Sequence, residues 1–143
     1  MDVIDFLKSE HRKAKAAFAE MLDAAPTKRG GMWTALQPEL KAHEAFEEAN
    51  LYGPLEQEGP ADPVLSEWVS DRHGDEVDEV EALIEDTERL DPMEDRWLET
   101  VQKIHAALEG HIRQEEGDIF PRIAEVWDRA KREKAGEKGP ERR

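Results

Sequence analysis

Apolar residues return every three or four positions along four long stretches of this chain, the spacing that turns one face of a helix toward a core. The first stretch runs from about Asp2 to Ala25, with Leu7, Ala14, Phe18 and Met21 on its seam, and stops at Pro26-Thr27-Lys28-Arg29-Gly30-Gly31. The second begins near Met32, carries Leu36, Leu40 and Leu51, and reaches Gly53-Pro54, with a short continuation to Gly59-Pro60. The third opens on Asp62-Pro63, a capping acid followed by a proline suited to the first helical turn, and carries Leu65, Val69, Val80 and Leu83 to about Leu90. The fourth opens in the same way on Asp91-Pro92, carries Trp97, Val101, Ile104, Leu108 and Ile119, and ends near Ala130. No stretch alternates as a strand would. Short connections between long helices make neighbours antiparallel, so the pattern predicts an all-α, antiparallel up-down-up-down four-helix bundle over residues 1–130. Residues 131–143 hold six basic and three acidic side chains with two glycines and a proline, which predicts a charged, disordered tail.

The seams are interrupted by His11, His43, Glu47, His73, Glu76, His111 and Glu115, all polar or ionisable on the face that should be buried. One histidine on such a face is ordinarily a satisfied core residue. Here each of the four helices supplies one, and their distances from the chain breaks differ by at most ~6 Å at the helical rise, so the imidazoles meet near one level. His105, six residues before His111, lies about 240° round the helix and takes a flanking role. His43 and Glu47, like His111 and Glu115, stand four apart and share a stripe. Burying such groups unpaired costs several kcal/mol each, and surrounding cations with them removes that cost. Glu44, Glu48 and Glu116 sit off the seam and read as solvated acids.

Composition narrows the chemistry. The chain has 143 residues, no cysteine and a net charge of -15, which excludes thiolate metal sites, cysteine nucleophiles and a nucleic-acid partner. No apolar run is long enough to span a membrane and no signal peptide is evident, so a cytoplasmic protein is expected. Imidazole and carboxylate without sulfur suit iron, manganese or zinc. Four histidines with two or three glutamates exceed one tetrahedral zinc, and two ions bridged by carboxylates fit the count better. Neither Glu-x-x-His nor His-Glu-x-x-His occurs, which weakens ferritin-like and zinc-protease alternatives. The eleven acids between Asp75 and Asp95 are either a docking face for an unidentified basic partner or the solvated side of the third helix. Trp33, Trp68, Trp97 and Trp127 are expected to pack the bundle.

Ser9-Glu10-His11, His43-x-x-x-Glu47-Glu48 running into Leu51-Tyr52-Gly53-Pro54, His73, and His111-x-x-x-Glu115-Glu116 running into Ile119-Phe120-Pro121 together resemble the hemerythrin HHE cation-binding family. The resemblance covers about Asp2 to Ala130. It implies a non-haem di-iron centre, with His11, His43, His73 and His111 as terminal ligands, Glu47 and Glu115 as bridges, and one coordination position open. Oxygen-binding hemerythrins carry a second histidine one turn along the third helix, where this chain has Val77. Glu76 is either its substitute or a solvent-facing acid beside Asp75 and Glu79. Reversible O2 binding for sensing or storage, redox turnover of peroxide, O2 or nitric oxide, and iron or zinc handling without turnover all remain open. Leu40, Val69, Val80 and Leu108 are expected to make the surroundings apolar.

Overall fold

A computed structural model describes residues 1–137. Its elements are α1 (Val3–Asp23), α2 (Pro26–Glu47), α3 (Gly53–Glu58), α4 (Pro63–Glu67), α5 (His73–Glu88), α6 (Asp95–Gln114), α7 (Phe120–Val126) and α8 (Arg129–Gly136). No strand occurs among the described residues. None of these helices is long and apolar enough to cross a membrane.

Three joints are widened turns of π-helix: Glu48–Tyr52 joins α2 to α3, Trp68–Arg72 joins α4 to α5, and Glu115–Ile119 joins α6 to α7. In each, an amide reaches back five residues: Gly53 to Glu48, His73 to Trp68, Phe120 to Glu115. Pro54 and Pro121 follow two of them, and neither proline stops its helix. A proline would clash with the carbonyl four residues back in a regular turn, and the wider turn carries the helix past it. Gly53 is required there, because a Cβ would lie 2.5 Å from the Glu48 carbonyl oxygen.

Two other boundaries differ from the sequence expectation. Pro26 through Gly31 is the start of α2 and not a linker, because Pro26 occupies the first helical turn, where its missing N–H costs nothing. Gly30 lets that turn press against the loop before α6, where a Cβ would meet Pro92 at 2.8 Å. Asp91-Pro92 caps no helix; Asp91 folds a turn by accepting from the Met93 amide at 2.8 Å, and α6 begins at Asp95. At Asp62 the expected cap is present, accepting from Val64 and Leu65 amides.

Apolar residues gather in two cores. One contains Leu7, Phe46, Tyr52, Trp68, Phe120 and Trp127; the other contains Phe18, Met21, Trp33, Ile84, Trp97 and Ile104. α1 runs from the first core to the second, α2 returns, α5 runs out again and α6 returns, so successive long helices alternate in direction. All four tryptophans are buried in these cores. Residues 131–136 belong to α8, correcting the expected tail: Asp128 caps it, Arg132 donates to Asp2 at 2.8 Å, and the helix packs on α1. The rest of that expectation, residues 138–143, lies outside the described residues.

Candidate metal centre

The seam interruptions converge between the two cores. His11 on α1 and His43 on α2 face each other with ring centroids 5.0 Å apart, and His73 on α5 and His111 on α6 are 5.3 Å apart. Two fully buried carboxylates tie the pairs together. Glu47 places Oε2 3.2 Å from His43 Nε2 and Oε1 3.3 Å from His73 Nε2. Glu115 places a single oxygen, Oε1, 3.3 Å from His11 Nε2 and 3.4 Å from His111 Nε2.

Donor atoms therefore fall into two groups, each lying within 4.8 Å: His11, His43, Glu47 and Glu115, and Glu44, Glu47, His73 and His111. Each group offers two imidazoles and two carboxylates, and Glu47 belongs to both. Among the described residues, His11 Nε2, His111 Nε2, Glu44 Oε2, Glu47 Oε2 and Glu115 Oε1 are buried without a hydrogen-bond partner. Orphaned polar atoms are rare in folded proteins and cost roughly 1–3 kcal/mol apiece. Here five of them aim into one small volume, the arrangement expected of ligands.

A second ring of carboxylates holds the imidazoles from outside. Glu116 Oε2 lies 2.6 Å from His11 Nδ1, Glu76 Oε1 lies 2.8 Å from His111 Nδ1, and Glu10 lies 3.6 Å from His43 Nδ1. An ionised carboxylate only accepts, so Nδ1 carries a hydrogen, and Nε2 is the nitrogen left to face a cation once any proton on it is displaced. Such carboxylate–histidine pairs orient metal-binding imidazoles and raise their basicity.

The structure thus brings together six of the seven singled-out residues and places the seventh, Glu76, behind His111 and outside both groups. Glu44 and Glu116 are not solvated acids. Glu44 Oε2 lies 3.3 Å from His73 Nε2, and Glu116 supports His11. Their signal lay in their place directly after a seam donor, Glu44 after His43 and Glu116 after Glu115: adjacent side chains diverge by about 100°, so one residue serves inside and its neighbour reaches an adjacent helix. His105 stays apart, stacked on Phe18 at 5.0 Å.

Electrostatics follow from burial against pairing. Burial works against charge on His43, His73 and His111, but carboxylates outweigh it. Glu47 holds His43 well above its usual range, Glu44 and Glu47 raise His73 to about 9, and Glu115 raises His111 to about 11. Burial and the charge of Glu115 push Glu47 upward, whereas His111 and His11 overcome burial and keep Glu115 well below the usual carboxylate range.

One side of the centre is walled by aromatics. Phe120 stacks parallel to His11 at 5.9 Å, and Trp68 contacts His73 and His111. Tyr52 lies 4.5 Å from the His73 ring, and its hydroxyl donates to Glu115 Oε2 at 2.5 Å. That bond occupies one oxygen of Glu115 and leaves Oε1 for both histidine pairs. Tyr52→Phe keeps the ring and deletes the donor. Cation affinity is expected to fall about 10- to 100-fold and stability by ~1–2 kcal/mol, read by chelator competition and thermal melts. Unchanged affinity would mean that Glu115 needs no such restraint. The opposite side opens into a cavity of about 820 Å³, to which Leu40, Val80 and Leu108 contribute. Val69, expected beside them, packs against the first core instead.

No curated relative and no solved structure matches the chain. Residues 2–123, which span every residue of both donor groups, match the hemerythrin HHE cation-binding domain, and the chain belongs to that family.

Proposed function

We propose that this protein holds two iron ions and binds O2 or a related small ligand there, for sensing or storage. The observation that carries this is the convergence of five orphaned, buried donor atoms on two groups that share Glu47. His11, His43, Glu47 and Glu115 would hold one ion and Glu44, Glu47, His73 and His111 the other; Glu115 Oε1 lies 3.3 Å from His11 Nε2 and 3.4 Å from His111 Nε2, one histidine of each group. An imidazole–carboxylate set without sulfur suits iron, with zinc and manganese as poorer matches. A bound iron pair supplies electron exchange with O2, peroxide or nitric oxide.

The chain's own residues do the rest. Glu116 and Glu76 fix the His11 and His111 tautomers, and Tyr52 restrains Glu115. Phe120 and Trp68 exclude water from one side, and Leu40, Val80 and Leu108 give the other side an apolar approach. Low polarity there slows loss of an oxidised ligand.

Turnover is the second reading, favoured by one feature. Where oxygen carriers have a further histidine on the third helix, this chain has Val77, and a carboxylate, Glu44, stands beside His73. Hard carboxylate donors favour Fe(III), and with it redox consumption of peroxide, O2 or nitric oxide.

Elemental analysis of protein purified without chelator is expected to give about two irons per chain, one for each donor group. The reduced protein should then change its visible absorption reversibly on adding and removing O2. Rapid bleaching with peroxide consumption would instead establish the enzyme, and zinc with no spectral response would refute both.

A further inference from the structure

We propose that the cavity beside the donor groups is a binding site for an uncharged organic molecule, an apolar ring or chain with a single oxygen head. It deepens the small-ligand function above, and only the partner of the head group depends on that function. α2 and α5 are clasped at two points. Trp33 Nε1 donates to Thr87 Oγ1 at 3.0 Å near one end, and His73 lies 3.3 Å from Glu44 and Glu47 near the other. Between the clasps the two helices hardly touch, and the space forms a window into the bundle.

Spacing places Ala14, Leu40, Val77 and Leu108 one helical turn from His11, His43, His73 and His111, as the next layer toward the second core. All four line the cavity and none is fully buried, although their positions face the bundle axis. Gly74, also in the lining, has nothing within 4 Å of where a Cβ would stand.

Size and polarity define the occupant. The volume is about 820 Å³, whereas a water molecule takes ~30 Å³ in the liquid and a diatomic ligand is of similar size. Cavities of roughly 300–1,000 Å³ with apolar walls and a few convergent polar groups take organic molecules. The convergent groups here are the donor atoms at one end, so the oxygen head faces them and the apolar body lies along Phe18, Leu36 and Ile84. An ionised head is disfavoured. Glu10, Glu76 and Glu116 already match the imidazoles from outside, and at the rim Lys13, Lys15 and Lys41 are outnumbered by Glu39, Glu48, Asp78, Glu81 and Glu109, which turns away an anion. A charge placed against the apolar walls would be left unpaired.

The probe is cumyl alcohol, titrated by calorimetry and by amide NMR into the full chain, both chelator-treated and iron-loaded. One saturable site is expected, with shifts confined to the cavity lining. Ala14→Phe and Val80→Phe fill the space from opposite helices, and each should weaken binding about tenfold or more while iron content stays unchanged. Absence of saturation, parental binding in both variants, or benzoate binding as tightly as the alcohol would overturn the proposal. Iron is assayed separately. A chain that binds the alcohol but no iron refutes the iron function and leaves this site standing; two irons without alcohol binding does the reverse.

Discussion

Glu47→Gln should strip cations from both donor groups while leaving the metal-free chain about as stable as the parent. Glu47 is fully buried, and its two oxygens are divided, Oε2 toward His43 and Oε1 toward His73. An amide retains one acceptor and turns a donor toward the other ion, so neither group keeps its charge and one loses its ligand outright. The metal-free chain feels the reverse. Burial and the neighbouring charge of Glu115 push the Glu47 carboxyl upward, meaning that its ionised form is strained in the fold. Exchanging that charge for a neutral group relieves the strain, which offsets the cost of taking from His43 and His73 a partner that keeps them protonated. His11→Ala offers the contrast, because His11 stands in one group only and its loss should empty that group first. Elemental analysis with paired melts, chelated and loaded, checks both variants. Full cation content in Glu47→Gln would remove the shared-ligand assignment.

What the sequence discloses here is set by angle. A helical seam reports residues on one stripe, so His11, His43, Glu47, His73, His111 and Glu115 stand out as polar interruptions of an apolar face, and the fold gathers all six. A centre inside a bundle needs donors over a wider arc than one stripe. His43 turns to His11 on α1, while Glu44, the next residue, reaches His73 on α5. Glu115 and Glu116 divide in the same way, one between the histidine pairs and one behind His11. Periodicity cannot separate such a neighbour from a solvated acid, because the distinction lies in where the adjacent helix stands. Glu76 fails from the other side: it lies near the seam, yet the offset of three residues from His73 carries it to the outer nitrogen of His111. The helix boundaries teach a similar lesson. Asp62-Pro63 and the first-turn proline of α2, Pro26, are local chemistry, whereas the docking of α8 through Arg132 and Asp2 depends on a distant partner.

Cation affinity should climb steeply with pH, in opposition to the stability of the metal-free chain. His43, His73 and His111 all have raised pKa values in the metal-free fold, His73 at about 9 and His111 at about 11, so at pH 7 they carry protons that an incoming cation must displace. Displacing up to three protons makes log K rise by as much as ~3 per pH unit below those values, on the order of 4 kcal/mol of binding free energy per unit. Stability runs the other way. A histidine raised above its unfolded value of 6.5 stabilises the metal-free fold fully below that pH, and the contribution is lost as pH rises through about 9 for His73 and about 11 for His111. Raising the pH from 7 to 9 should therefore tighten cation binding while the chelated protein melts earlier, so the gap between loaded and chelated melting temperatures widens. Calorimetry in buffers of differing ionisation enthalpy counts the protons released, and chelator competition at pH 6, 7 and 8 gives the slope. Release of less than one proton with a flat slope would show that the imidazoles enter the site already neutral, and that the carboxylates around them orient the rings without holding their protons.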